Sequence, residues 1–314
     1  MTDRDLVVTQ RVALTPSITR FELGPAPGQP PLPAVEPGSH ISIATPTGHR
    51  RSYSVTEQTA DGSYRISVLR EADGRGGSRS MHEDVRVGDW LRADGPRNAF
   101  PLRDADEYLL IAGGIGITAI RAMFRALDQR GAQVRLLYLS RTADDTAYLD
   151  EFSNAGPHVR VHYSAVHGRV DLWPYLAEPR DGRHVYCCAG RPLMEEVRGL
   201  TMHWRPSNVH FEDFAGIAAG QVSDQPFQAI WAPDGRTIDV GPDGTLLDAL
   251  NRAGAGVASS CRSGTCGTCV LQLCEGEGEA EHRDLVLDAS ERSTRIISCV
   301  SRAAGQTITV GPLT

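Results

Sequence analysis

The nonapeptide Cys261-Arg262-Ser263-Gly264-Thr265-Cys266-Gly267-Thr268-Cys269 spaces three thiols as C-x4-C-x2-C, and Cys299 follows far downstream. That spacing is the plant-type pattern for a [2Fe–2S] cluster, in which one tight loop supplies three ligands and a distant strand the fourth. Thiolates suit soft iron–sulfur centres. Gly264 and Gly267 let the loop backbone fold close to the cluster, so that amide N–H groups can point at the sulfurs. A structural zinc site would show paired C-x2-C knuckles, and only one such pair is present. A disulfide framework belongs to oxidising compartments. Cys261, Cys266, Cys269 and Cys299 are therefore the expected metal ligands. Cys187, Cys188 and Cys274 stand in apolar runs and read as small core residues.

Working outward from the loop, residues 226–314 begin with strands at 227–232 and 237–240 and a helix at 245–253. With the cysteine loop and the strands after it, they predict an α+β plant-type ferredoxin (β-grasp) domain. The stretch before them, 215–225 (AGIAAGQVSDQ), is small and polar and reads as a linker. Residues 104–214 alternate apolar strands (108–112, 134–140, 159–164, 184–189) with helices (117–130, 147–154, 192–204, a short one near Trp173). That alternation predicts an α/β domain with a parallel sheet. Residues 1–103 carry closely spaced strands at 6–14, 18–23, 40–44, 51–56, 64–70 and 90–93, each bounded by Pro, Gly or Asp, which predicts an antiparallel β-barrel. A helix capped by Ser78 and closed by Gly88 interrupts them.

Composition narrows the partners. A net charge of −7 argues against a nucleic-acid binder, which would show a basic excess. The N-terminus lacks the basic start and apolar core of a signal peptide, and no apolar run reaches the ~18 residues needed to span a bilayer. A cytoplasmic protein with reduced thiols, without membrane or nucleic-acid partners and monomeric, is expected.

Two segments carry further chemistry. Leu109–Thr118, LLIAGGIGIT, joins a buried strand to a helix through glycines. Gly113, Gly114 and Gly116 allow close backbone approach, and the helix start offers N–H groups to a pyrophosphate. Alone, such a turn is as often structural. A second strand-to-helix junction, YCCAGRPLM (Tyr186–Met194), supports it, because ligands of parallel sheets collect at the carboxyl ends of strands. Candidate contacts for a nicotinamide dinucleotide are Gly113, Gly114, Gly116, Thr118, Cys188, Gly190, Arg191, Pro192 and Met194, with Ser140 and Arg141 placed for the adenosine ribose. Asp144 and Asp145 favour NADH, with NADPH the alternative. In RSYS (Arg51, Ser52, Tyr53, Ser54), Arg offers a fork for phosphate, Tyr a flat face and Ser a hydroxyl. GRGGS (74–78) adds an anion-friendly loop. Each of these has an ordinary surface or packing alternative, His82 included.

Taken in order, PGSHI (37–41), RSYS, GRGGS, GPRNAF (95–100), GGIGIT, YCCAGRPLM, HFEDF (210–214), CRSGTCGTC, EHRD (281–284) and SCVSRA (298–303) resemble the phthalate dioxygenase reductase family over nearly the whole chain. The resemblance implies FMN, with Arg51, Tyr53, Ser54, Gly77 and Ser78 as flavin contacts and Arg70 and Ser80 as further ones. Ser54 would lie near the flavin N5, and Phe214 would stack on the ring; these two are the flavin-proximal catalytic positions, with no acid or base residue. It also implies electron flow from NADH through FMN to the cluster, then to an oxygenase component, Rieske-type first and cytochrome P450 second. A carrier or sensor without turnover is the rival reading, and it would not need residues 104–214. Residues 230–314 hold 11 Asp/Glu against 7 Arg, which predicts a basic docking face on the partner or simply a solvated acidic face.

Overall fold

The computed structural model describes residues 4–72, 76–214, 225–242, 244–259, 264, 267–274, 279–284 and 286–313. The chain divides into two compact units, Met1–Asp213 and Phe214–Thr314.

The first unit opens with strands β1 (Arg4–Ala13), β2 (Ile18–Pro25), β3 (Ser39–Ala44), β4 (Arg50–Gln58) and β5 (Tyr64–Leu69), then helix α1 (Gly77–Glu83) and β6 (Trp90–Asn98). They close into a six-stranded barrel in the order β1-β2-β5-β4-β3-β6, with every pairing antiparallel. Leu6, Val8, Phe21, Leu23, Ile41, Ile43, Val55 and Ile66 fill its interior. β6 runs well past the expected end at Ala93 because it serves two neighbours, β1 through its first half and β3 through its second. Ser78 is not the cap of α1. Gly76, at φ +90°, holds that position, and Ser78 Oγ accepts instead from the Glu71 N–H. The positive φ explains the choice, since a side chain there would be strained.

The same unit continues with β7 (Glu107–Gly113), α2 (Ile117–Gln129), β8 (Gln133–Ser140), α3 (Leu149–Ser153), β9 (Val159–Tyr163), α4 (Ser164–His167), α5 (Trp173–Leu176), β10 (Arg183–Cys188), α6 (Arg191–Leu200) and β11 (Val209–Glu212). The sheet is parallel, in the order β11-β10-β7-β8-β9. Strand order therefore reverses between β7 and β10, the crevice where open α/β sheets bind ligands. One face packs on α2 and α3 through Leu110, Ile120, Phe124, Leu136 and Phe152. The other packs on α5 and α6 through Ile111, Leu137, Leu176, Val185 and Val197. α3 begins later than expected because Tyr148 takes a left-handed conformation, φ 60°. α6 ends at Leu200, four residues short of Trp204, and Thr201 closes it.

The second unit comprises β12 (Phe227–Trp231), β13 (Arg236–Val240), α7 (Leu246–Arg252), β14 (Val270–Leu273), β15 (Ala280–Glu281), β16 (Arg295–Ile297), β17 (Arg302–Ala303) and β18 (Thr307–Gly311). Its mixed sheet, β13-β12-β18-β14-β16, with α7 across it, is the β-grasp arrangement. Thr245 caps α7, accepting from the Asp248 N–H at 3.0 Å and donating to the Asp248 carboxylate at 2.9 Å, a reciprocal cap worth about 1 kcal/mol. Arg302 of the SCVSRA motif is almost fully buried. Its guanidinium donates to the carbonyls of Gly244, Gly241 and Gln225, so the buried charge is well bonded. No helix among the described residues is long and apolar enough to cross a membrane.

Candidate functional site

Three places gather the residues singled out from the sequence. The first is the start of β4 with α1. Arg51 lies against the beginning of the helix, so close that a Cβ on Gly77 would stand 3.1 Å from its Nε. Ser80 donates to the Gly77 carbonyl at 3.0 Å and bonds Thr47 at 3.3 Å, tying α1 to the β3–β4 turn. Next along β4, Tyr53 Oη and Ser54 Oγ are both buried without a hydrogen-bond partner among the described residues. Burial pushes the Tyr53 phenol up, against the opposing pull of Arg51, and keeps it a neutral donor. Two adjacent unpartnered hydroxyls need a reason. A ligand with polar atoms on a flat ring and a phosphate for the Arg51 fork supplies one, so these residues fit FMN. Ser52 lies between Arg51 and Tyr53, in register with Ser42. Arg70 is engaged elsewhere, in an ion pair with Glu83 at 2.6 Å. Gly74 and Arg75 of GRGGS lie outside the described residues.

His82 has a structural role. Its Nε2 faces the Val68 carbonyl at 2.8 Å and must donate there, leaving Nδ1 to accept from Thr19 at 3.2 Å. The ring ties α1 to β2 and β5, and burial lowers its pKa.

The second place is a cavity of about 320 Å³ at the carboxyl ends of the parallel strands. It is lined by Gly114 after β7, Ser140 and Arg141 at the end of β8, and Gly190 and Pro192 after β10, all expected. The glycine run divides its labour. A Cβ on Gly113 would come within 2.6 Å of the Ala189 Cβ, and one on Gly116 within 2.0 Å of the Cys188 carbonyl oxygen. Those two glycines let helix α2 meet the end of β10. Gly114, at φ +52°, has open space around it and lines the cavity. Thr118 is buried and donates to the Ile115 carbonyl. Cys188 and Met194 are core side chains, fully and nearly fully buried, and burial drives the Cys188 thiol well above its ordinary pKa. Arg191 opens α6 beside Pro192.

His162, Ser164, Arg169 and Glu196 also line the cavity and were missed from the sequence. The rule applied to β7, β8 and β10 would have reached His162 and Ser164 at the end of β9. Glu196, one helical turn beyond Pro192, shares its face. Glu212, paired in register with Cys188, was quoted within HFEDF but not singled out. Its Oε2 is buried without a partner among the described residues, and burial pushes its pKa up to about 8. No sequence signal shows that burial. Phe214, two residues past the end of β11, exposes 44% of its surface.

The third place is in the second unit. Cys269 and Cys299 are both buried and share one apolar cluster with Leu247, Leu287, Ile297 and Val300. They flank the β14–β16 pair, where the Ser298 N–H and hydroxyl both bond the Cys269 carbonyl. Gly264 and Gly267 adopt positive φ, +75° and +69°, and a Cβ on Gly264 would sit 2.7 Å from Val300. Two buried thiols in one apolar cluster, Cys269 from the cysteine motif and Cys299 from beyond β16, with left-handed glycines beside the first, fit a cluster. Cys261 and Cys266 lie outside the described residues. Cys274 is half-buried at the end of β14 rather than deep in the core. Asp284, of the EHRD motif, is buried beside Gly264 and accepts from the N–H groups of Val286 and Leu287.

The comparisons with known proteins agree with this geometry. A 2Fe-2S iron-sulfur cluster binding domain matches residues 229–304. The phthalate dioxygenase reductase of Burkholderia cepacia is 38% identical over 95% of this chain and 94% of its own length. A solved phthalate dioxygenase reductase, described as a modular structure for electron transfer from pyridine nucleotides to [2Fe-2S], superposes with a TM-score of 0.74 at 36% identity, covering 98% of each chain. An intact type IV self-sufficient cytochrome P450 monooxygenase superposes with a TM-score of 0.85 at 33% identity, over 98% of this chain and 41% of that one. The chain belongs to the phthalate dioxygenase reductase family, as an oxidoreductase of an oxygenase system that works with NADH, FMN and a [2Fe–2S] cluster.

Proposed function

We propose that residues 1–103 hold FMN, residues 104–214 bind NADH, residues 215–225 act as a linker and residues 226–314 hold the cluster, the chain delivering electrons to a Rieske-type oxygenase. The observation that carries the flavin assignment is the pair of buried, unpartnered hydroxyls on Tyr53 and Ser54. When bound, FMN exchanges hydride with nicotinamide and single electrons with an iron–sulfur centre, which is why it stands between them. The chain supplies orientation. Arg51 offers its guanidinium to the flavin phosphate, Ser54 a hydroxyl near N5, and Phe214 a ring face. Gly77, Ser78 and Ser80 shape the wall around them, with Ser52 and Arg70 at its margin. Gly114, Ser140, Arg141, Gly190, Arg191 and Pro192 line the nicotinamide dinucleotide's path, with Gly113, Gly116, Thr118, Cys188 and Met194 behind. Cys261, Cys266, Cys269 and Cys299 ligate the irons.

Phthalate dioxygenase in the relative's name supports the Rieske-type partner. A second reading, service to a cytochrome P450, is supported by the fused P450 monooxygenase that shares this fold. The chain is read as a cytoplasmic monomer. The test is substrate-dependent NADH consumption by the purified protein with a candidate Rieske oxygenase or a P450; coupling to the P450 alone rejects the Rieske reading. Cys299→Ser separates the halves. It is expected to abolish the red-brown cluster absorbance and transfer to the oxygenase, while NADH oxidation with ferricyanide persists. Loss of both reactions in that variant would reject the proposed division of labour.

A further inference from the structure

Resting on the reading of the strand-end cavity as the NADH site, we infer that the Arg169–Glu196 ion pair sets its choice of NADH over NADPH. The two dinucleotides differ by one phosphate on the adenosine ribose. A site accepts that phosphate by presenting arginine forks to it and loses it when those forks are already taken by carboxylates. Two arginines line this cavity. Arg141 follows β8 beside Ser140, and Arg169 lies in the stretch between β9 and β10. Both are exposed at the rim. On its own, that pair would make a good phosphate clamp. Glu196, on the cavity face of α6, prevents it. Its Oε2 is in direct hydrogen-bonded contact with Arg169 Nη2. The contact takes up the fork of Arg169 and leaves the pair without net charge, so Arg141 gains no second cation beside it.

Glu196 is the determinant because it is the better anchored partner. Its side chain is 30% exposed, against 69% for Arg169. Replacing it by an isosteric neutral amide would leave the wall's shape in place and release Arg169 toward the ribose. One recovered charge-assisted hydrogen bond corresponds to roughly a ten- to hundredfold change in discrimination.

The experiment measures kcat/KM for NADH and NADPH with ferricyanide as acceptor, in wild type, Glu196→Gln and the double variant Glu196→Gln/Arg169→Ala. Calorimetric binding of 2′-AMP and 5′-AMP to the same proteins reads the site without turnover. The NADPH-to-NADH ratio of kcat/KM is expected to rise about ten- to hundredfold in Glu196→Gln and to fall back in the double variant. Affinity for 2′-AMP is expected to rise in parallel, ahead of any change for 5′-AMP. A wild type that oxidises NADH while Glu196→Gln leaves the ratio and 2′-AMP affinity unchanged overturns the role of the pair alone. A gain that persists without Arg169 also overturns it. A wild type that oxidises neither dinucleotide and binds neither nucleotide overturns the reading of the cavity, and the pair's role with it.

Discussion

The barrel and the parallel sheet of the first unit meet along two seams built from opposite chemistry. One is ionic. Arg121 of α2, buried, donates to the Thr56 carbonyl at 3.1 Å and reaches Glu57 at 3.2 Å and Glu151 at 2.8 Å. Its guanidinium also lies 4.5 Å from the Tyr148 ring centroid, and Tyr148 Oη bonds Ser67 of the barrel at 2.6 Å. The other seam is neutral. The Phe100 ring meets Tyr186 edge-on, and the Arg103 N–H donates to Tyr186 Oη, whose proton goes to the Pro101 carbonyl. Tyr186 stacks on His210 at 4.4 Å, and His210 Nε2 faces His184 Nδ1 at 3.2 Å. Such a pair is bonded only while one ring nitrogen lacks its proton. A junction built both ways should fail at different places under different insults.

The largest effect should come from the ionic seam. Arg121→Met leaves Glu57 and Glu151 short of a shared partner and is expected to cost about 3 kcal/mol in denaturant unfolding of the first unit. Arg121→Lys should recover little, because a compact ammonium lacks the planar span with which the guanidinium reaches acceptors on both sides. Full recovery by lysine would mean that charge alone, and not the fork, makes the seam.

Acid should open the neutral seam first. Burial, then His184 and Arg103, lower the His210 pKa to about 4, against about 6.5 in an unfolded chain. The folded-state value is depressed, so the contribution is complete above about pH 6.5 and lost as pH falls toward 4. Between pH 7 and pH 5 this is expected to remove about 2 kcal/mol, and His210→Phe should flatten the profile. An identical acid slope in that variant would place the sensitivity elsewhere. Glu57 of the ionic seam behaves differently. Burial raises the Glu57 pKa, but Arg121 and Arg125 outweigh it and hold the carboxyl below its ordinary value. Its stabilisation therefore persists until pH falls beneath the usual carboxylate range.

The smallest effect expected is for Ser67→Ala, about 1 kcal/mol for one hydroxyl bond to Tyr148, measured against Tyr148→Phe. If the two variants together cost as much as their sum, the contact is not the bond described.

Neither seam was legible in the sequence. Arg121 reads as one more polar position on an amphipathic helix, and its partners lie some 30 to 65 residues away. What could be read was local or periodic: the cysteine spacing, the strand–helix alternation that gives the parallel sheet, and the close strands of the barrel. Gly114, Ser140, Arg141, Gly190 and Pro192 were found because strand ends announce themselves by a change of period. Arg169 and Glu196 were not, because an ion pair across a cavity depends on which strands are neighbours. Cys188 and Met194 show the converse limit. They sit in the right motif, yet their side chains turn into the core.

The contact between Gly116 and the Cys188 carbonyl has a further consequence. It seats the turn after β7 directly against the end of β10, backbone on backbone, so the two turns that line the cavity share one footing. A ligand arriving there has little loop to freeze. The backbone ordering that a floppy turn would demand, about 1–2 kcal/mol for each residue fixed, has already been met during folding at this footing.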